Sequence, residues 1–436
     1  MPLNLSINDP DFDPSFDTLV NARREADEDV SADVRAIIAD VRLRGDVSVR
    51  ELTQKFDDHD LDQTGWRVSK SECAAALQSL EAELRVALEL AALRIRDYHE
   101  GQPPENKDYI DEAGVRIGTR WGAVERAGIY IPGGRAAYPS SVLMNAIPAK
   151  VAGVDKIIMV TPTPGGEINP LVLAAAELAG VDEIWRIGGA QAIAALAYGT
   201  DHIAPVDVIT GPGNAWVAEA KRQLYGVVGI DMVAGPSEIV VVADSQNDAD
   251  WIAADLLSQA EHDPTSQSIL ITNDDKFAKQ VSDKIDKQLD LLATREIATA
   301  SWNDNGAIII VDRFEQAIPL IDRLAAEHLE LAIDDAEALF KKIRQAGSVF
   351  LGRHTPEAVG DYVAGPNHVL PTGRRARFSS GLSVTDFMKR TSFIRCDEQA
   401  LRNIGPAAVA LANAEGLPAH AASISRRLFP DEKEPT

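Results

Sequence analysis

Gln259 and His262 stand three residues apart in Leu256-Leu257-Ser258-Gln259-Ala260-Glu261-His262-Asp263-Pro264. The run reads as the last turns of a helix that begins near Asp250 and is stopped by Pro264. On a helix that spacing puts both side chains on one face, where they could hold one ion or ligand together. A lone imidazole at a helix C-terminus is equally explained by its interaction with the last carbonyls. Three other pairs give it company. Glu327-His328 sets a carboxylate beside an imidazole, the ingredients of a general base and a proton shuttle. Asp361 and His368 bracket the polar loop Gly360-Asp361-Tyr362-Val363-Ala364-Gly365-Pro366-Asn367-His368, and Glu415 and His420 frame Glu415-Gly416-Leu417-Pro418-Ala419-His420. Imidazoles together with amide and carboxylate oxygens would suit zinc or a similar divalent ion. These groups are spread over about 160 residues, so spacing alone leaves their convergence open. The other histidines, His59, His99, His202 and His354, sit in plain loop or helix contexts and read as surface residues.

Three glycine turns follow strand-like runs: Pro132-Gly133-Gly134, Gly188-Gly189-Ala190-Gln191 and Gly211-Pro212-Gly213-Asn214. Backbone N–H groups at such turns, opening a helix, can cradle a phosphate. None completes G-x-G-x-x-G, since Trp stands at position 216, and packing turns are the plain alternative.

The elements needed to position these groups are legible as a series. Helical patterns run from Ser31 to Phe56, punctuated by Gly45, and from about Ser69 to Tyr98. Residues 115–121 alternate as a strand should. Apolar strands at 128–131, 156–161, 183–187 and 206–210 then alternate with helices. A second series follows at 238–243, 268–272, 307–311 and 348–351. Strands that are apolar throughout rather than alternating mark parallel sheets covered on both faces. The tail from about Gly381 reads as mostly helical, clearest at Leu401 to Ala414.

Composition bounds the function. The 436 residues are 45% hydrophobic and 25% charged, enough for a sizeable core. A net charge of −24 argues against nucleic acid as the main partner. The first residues lack a basic region followed by an apolar core, so no signal peptide is expected, and no apolar run approaches the ~20 residues that span a bilayer. The two cysteines, Cys73 and Cys396, exclude a disulfide scaffold and suit a reducing cytoplasm.

Several long words of the sequence resemble the histidinol dehydrogenase family. They are Tyr130-Ile131-Pro132-Gly133-Gly134, Gly188-Gly189-Ala190-Gln191-Ala192-Ile193-Ala194, Gly211-Pro212-Gly213-Asn214 and Ala234-Gly235-Pro236-Ser237-Glu238. Further along come Leu257-Ser258-Gln259-Ala260-Glu261-His262, Glu327-His328-Leu329, Gly360-Asp361-Tyr362 and Asn367-His368-Val369-Leu370-Pro371-Thr372. The likeness runs in order from about residue 30 to the end.

The resemblance implies a four-electron, NAD-dependent oxidation of L-histidinol to L-histidine through the aldehyde. It implies an α/β fold of two incomplete, doubly wound Rossmann-like domains with parallel sheets. An N-terminal arm (1–30) would precede a first domain built from 31–129 and 238–380, which carries the metal and catalytic residues. Residues 130–237 would form the second, on the NAD side, and 381–436 a helical tail that intertwines a homodimer with shared active sites. By resemblance one zinc ion per subunit would be held by Gln259, His262, Asp361 and His420. Glu327 would activate water and His328 would take protons. Tyr130, Gln191 and Asn214 would contact NAD. Ser237, His368 and Glu415 would join Gln259, His262, Glu327, His328, Asp361 and His420 around the substrate. Rival readings are a sulfopropanediol-type dehydrogenase on the same scaffold and a zinc-dependent hydrolase using Glu327 as base. The former is expected to differ in the loop after Asp361 and in the tail.

Overall fold

The computed structural model describes residues 2–22, 29–133, 138–233 and 235–429. Gly134 of the first glycine turn and Ala234 of the Ala234–Glu238 segment lie outside the described residues. The chain opens with β1 (Leu3–Ser6) and reaches β2 (Arg67–Val68) after a run of helices. Then come β3 (Lys107–Ile110) and β4 (Arg116–Ala123), followed by β5 (Arg126–Tyr130), β6 (Lys156–Val160), β7 (Glu183–Trp185), β8 (Val208–Thr210) and β9 (Gly229–Ile230). The second series is β10 (Glu238–Ala243), β11 (Gln267–Thr272), β12 (Ala307–Ile310), β13 (His328–Ala332) and β14 (Ser348–Leu351). β15 (Met388–Arg395) comes last, before the helices Glu398–Ala414 and Pro418–Leu428.

Two six-stranded sheets result, ordered β2-β7-β6-β5-β8-β9 and β1-β12-β11-β10-β13-β14. The second is parallel throughout, and the first is parallel apart from its edge strand β2. In both, the chain builds outward from a central strand in one direction and then in the other, the doubly wound pattern. β10 shows why its sequence does not alternate: Val240 and Val242 pack into one apolar cluster, Ile239 and Val241 into another on the opposite face. Leu256, Val281, Ile285 and Trp302 cover the latter face, and Phe12, Phe16, Leu320 and Ile321 the former.

Several sequence expectations change. Residues 1–30, expected as an arm, supply β1, paired with β12, and the helix Phe12–Asn21, whose Phe16 is fully buried. The expected helix from Ser69 to Tyr98 is two, Lys70–Ser79 and Ala82–Glu100, the first opened by a capping box between Ser69 and Glu72. His59 and His99 are buried rather than on the surface. His59 Nδ1 lies 2.5 Å from Thr163 Oγ1 and His99 Nδ1 lies 2.7 Å from the carbonyl of Ile95, so each polar ring is satisfied inside. The tail holds a strand as well as helices, because β15 pairs antiparallel with β4.

The chain divides into two compact units, Met1–Gln102 with Val124–Phe387, and Pro103–Ala123 with Met388–Thr436. The larger contains both six-stranded sheets. The smaller is the sheet β15-β4-β3 and the two terminal helices. No helix among the described residues is long and apolar enough to cross a membrane.

Candidate active site

The acid and imidazole residues gather at the amino ends of β10, β13 and β14, not at the carboxyl ends where open parallel sheets usually bind ligands. The helix Ala317–Leu324 ends at Ala325, held at φ +45, and the sharp turn delivers Glu327 and His328 to the start of β13. His328 lies in register with Ile239 on one side and Ser348 on the other. Its Nδ1 is 3.1 Å from the carbonyl of Glu238, which fixes the proton on that nitrogen and leaves Nε2 as the lone-pair nitrogen. Glu327 accepts the backbone N–H of Glu238 at 3.0 Å, and its carboxylate is 3.7 Å from His328 Nδ1.

Glu357 completes the group. The short helix Glu357–Tyr362 follows Pro356 and carries Glu357 and Asp361 four residues apart, on one face. Glu357 Oε1 is 3.4 Å from His328 Nε2, and Ser258 Oγ donates to its other oxygen at 3.4 Å. His328, Glu357 and Asp361 offer ligand atoms within 4.8 Å of one another. His368 Nδ1 lies 3.1 Å from the carbonyl of Asp361 and 3.6 Å from its carboxylate. A cavity of about 200 Å³ opens here, lined by His328, Phe350, Asp361, Asn367 and His368 among others.

The electrostatics follow from burial. Desolvation holds the Glu327 carboxyl well above the usual range against the backbone N–H it accepts, aided by the charges of Glu238, Asp361 and Glu357. Burial lowers His328 to about 4, so its imidazole is neutral at physiological pH. Glu357 is pushed up to about 8 by desolvation and by the Asp361 carboxylate. For Asp361 burial is again the largest influence and raises its pKa. The hydrogen bond and charge of His368, with the charges of His328 and His262, outweigh it and leave the pKa below the ordinary value.

The central helix is Ala249–Ala260, and its C-terminal end, the pole that favours cations, supplies Gln259. His262 is not on that helix as its spacing suggests. Glu261 caps the end, and the N–H of His262 donates to the carbonyl of Gln259 at 3.3 Å in the turn beyond. Gln259 is 2% exposed, and its Oε1 is buried without a hydrogen-bond partner. A buried carbonyl oxygen without a donor, at a helix C-terminus with acid and imidazole groups, is a donor set that fits a divalent cation. Ser237 immediately precedes Glu238, and its carbonyl accepts the N–H of Gln267 at 3.0 Å.

Tyr130 closes β5 of the first sheet, and Gln191 and Asn214 open the helices that follow β7 and β8. Tyr130 Oη accepts the N–H of Gly189 at 3.1 Å, and burial pushes its hydroxyl up to about 12. Gln191 sits buried in the first turn of the helix Gly189–Tyr198. Asn214 caps the helix Ala215–Leu224 by accepting from Val217 N–H. Gly211 holds φ +112, and a Cβ there would meet the carbonyl oxygen of Tyr130 at 2.1 Å, so the β5 and β8 exits close together only on glycine. Glu415 and His420 lie in the smaller unit, at the C-cap of Glu398–Ala414 and in the helix Pro418–Leu428, both exposed.

Sequence reasoning missed Glu357. The Glu357-x-x-x-Asp361 spacing was its signal, hidden because Asp361 was read as a loop residue when it sits on a helix.

Two doubly wound sheets, glycine turns at the exits of one and a buried acid–imidazole cluster at the other, define an α/β oxidoreductase scaffold. The model of the histidinol dehydrogenase family matches residues 20–428. A histidinol dehydrogenase of Zymomonas mobilis is 63% identical over 428 residues, covering 98% of this chain and all of the relative. One of Rhodospirillum rubrum is 60% identical over 429 residues, 98% of this chain and 99% of that protein. The crystal structure of the enzyme from Elizabethkingia anophelis superposes with a TM-score of 0.93 at 38% identity, covering 98% of both chains. The chain belongs to the histidinol dehydrogenase family, a family of oxidoreductases.

Proposed function

We propose that this protein oxidises L-histidinol to L-histidine with two molecules of NAD, through L-histidinaldehyde, as the closing step of histidine biosynthesis in the cytoplasm. The observation that carries the reading is the fixed orientation of His328 beside Glu327. With Nδ1–H donated to Glu238, Nε2 is free to take the hydroxyl proton while carbon-bound hydride leaves to the nicotinamide. The products of this step are the aldehyde, one NADH and one proton on the imidazole. Water then adds to the aldehyde carbon, one of its protons passing to Glu327 while the former carbonyl oxygen takes the proton held by His328, which gives the hydrate and a neutral imidazole again. A second hydride leaves the hydrate carbon as His328 takes a hydroxyl proton, giving the carboxylic acid and a second NADH. No cysteine nucleophile is required by this route.

Gln259, His262 and Asp361, with the partner subunit's His420, would hold zinc. When bound, the ion supplies a fixed positive charge that orients the imidazole and amino groups of the substrate and keeps the aldehyde in place. Asp361 and His368 brace one another, and His368, Ser237 and the partner subunit's Glu415 would complete the substrate pocket. Tyr130, Gln191 and Asn214 would receive NAD at the exits of β5, β7 and β8. In this reading residues 130–237 serve the cofactor, 31–129 with 238–380 serve the chemistry, and 381–436 form the homodimer tail. The test is the stoichiometry of NADH formed per histidinol consumed, with histidine identified as product. Growth of a histidine auxotroph lacking this activity on histidinol, after introduction of the chain, is the corresponding test in cells.

A further inference from the structure

The first sheet places β5, β6, β7, β8 and β9 in the order 3-2-1-4-5 of a dinucleotide-binding series, counting β5 as the first strand. In such a series an acidic residue at the end of the second strand hydrogen-bonds the adenosine ribose hydroxyls. The second strand here is β6, and it runs out through Val160-Thr161-Pro162-Thr163-Pro164, with no acid. An acid arrives from elsewhere. The helix Asp46–Asp57 ends beside that exit, and the backbone N–H of Thr163 donates to the carboxylate of Asp57. The charge of Asp57 also acts on the hydroxyl of Tyr130, the residue that closes β5.

Three strand exits meet at this point. A Cβ at Gly133 would come within 2.7 Å of Pro162 Cγ, and one at Gly188 within 2.4 Å of Pro162 Cβ, so the β5 and β7 turns both press on the β6 exit. Thr163 is further fixed by His59, whose Nδ1 lies 2.5 Å from its hydroxyl. Within this rigid corner one oxygen of Asp57, Oδ2, is buried and has no hydrogen-bond partner. A carboxylate oxygen so placed accepts the hydroxyl donors of a ligand. Arg186, just past β7, has both terminal guanidinium nitrogens engaged, and its Nε is buried. Its guanidinium is held by Glu72 at 2.9 Å and by the carbonyl of Gly166 at 3.3 Å.

We infer that Asp57 accepts the ribose hydroxyls of the adenosine half of NAD, and that its negative charge turns away a cofactor carrying a 2′-phosphate. The inference rests on the proposed use of NAD.

Asp57→Asn keeps an oxygen for Thr163 N–H and removes the charge, and Asp57→Ala removes both. Fluorescence titration with NAD and with NADP, beside steady-state kinetics, is the test. Asp57→Ala is expected to weaken NAD binding by ~10-fold or more, with kcat and the KM for histidinol within about two-fold of wild type. In both variants the preference for NAD over NADP narrows by at least ~10-fold, as expected when a repulsive charge is removed. Equal NAD affinity and unchanged cofactor preference in folded Asp57→Asn and Asp57→Ala would overturn the inference. Wild-type protein that binds NAD yet leaves histidinol untouched would remove the proposed reaction while these titrations still decide the role of Asp57.

Discussion

His328 Nδ1 lies 3.1 Å from the carbonyl oxygen of Glu238, and that contact decides which ring nitrogen can act as base. The proton is committed to the backbone, so Nε2 faces the cavity side with Glu357 Oε1 3.4 Å away. Because burial lowers His328 to about 4, the imidazole stays unprotonated as pH falls through the range where an ordinary histidine would charge. Loss of kcat/KM on the acid side through this group is therefore expected only below about pH 5, not near 6.5. His328→Asn should cost ~10²-fold or more in both half-reactions. A His328→Asn enzyme within a few-fold of wild type would exclude the assignment.

Glu327 is expected to separate the two half-reactions. Its carboxyl sits well above its ordinary pKa through desolvation, so the ionised form that takes a proton from water grows as pH rises. Oxidation of added histidinaldehyde should climb with pH more steeply than the first oxidation, and Glu327→Gln should flatten that rise and depress it selectively. Equal loss in both halves would contradict the role of water activator.

Glu357 acts through His328. Glu357→Gln keeps the size of the side chain but loses the titratable carboxyl facing Nε2. A fall of ~10-fold in kcat, about 1.4 kcal/mol, with little change in the KM for histidinol is predicted. Glu357 titrates at about 8, so the variant should lose whatever part of the pH profile changes through about 8 and leave the acid limb in place, which a purely structural residue would not cause.

Metal retention tests the central helix. His262→Asn should lower bound zinc, measured by elemental analysis of dialysed protein, together with activity. Full zinc content in this variant would remove His262 from the ligand set.

Glu330 bears on stability and pH. On β13 it is buried beside Asp255 and Glu357, and desolvation with the Asp255 charge pushes it up to about 9, while Asp255 rises to about 6. A raised folded value means the fold binds the proton more tightly than the unfolded chain does. The stabilisation is complete below the ordinary carboxylate pKa and is lost as pH climbs through about 9. Glu330→Gln mimics the protonated form, so its Tm should match wild type at pH 5 and exceed it by a few degrees at pH 8. A variant that melts earlier at pH 8 would contradict this account.

Much of this architecture was legible in the sequence because its strands are short apolar runs divided by glycine turns, a local signal. β1 was hidden: its four residues find their partner in β12, about 300 residues away, and no local pattern announces such a pairing. β13 was masked by the chemistry of Glu327-His328 at its start. The site was legible as residue types but not as geometry. His262 stands two residues beyond the helix that should have carried it, and Asp361 sits on a helix too short to register a period. Glu357 showed only as a spacing to Asp361, and Asp57 gave no signal until the fold showed where its carboxylate stands. Glu357 meets His328, and Asp57 meets Thr163, only once the sheets have formed.

The central claim is a four-electron oxidation at one site. Zinc-loaded protein given limiting histidinol and excess NAD should form two NADH per histidinol, with histidine as product and no free aldehyde trapped by semicarbazide. One NADH per histidinol with aldehyde released, or no NAD reduction at all, would contradict it.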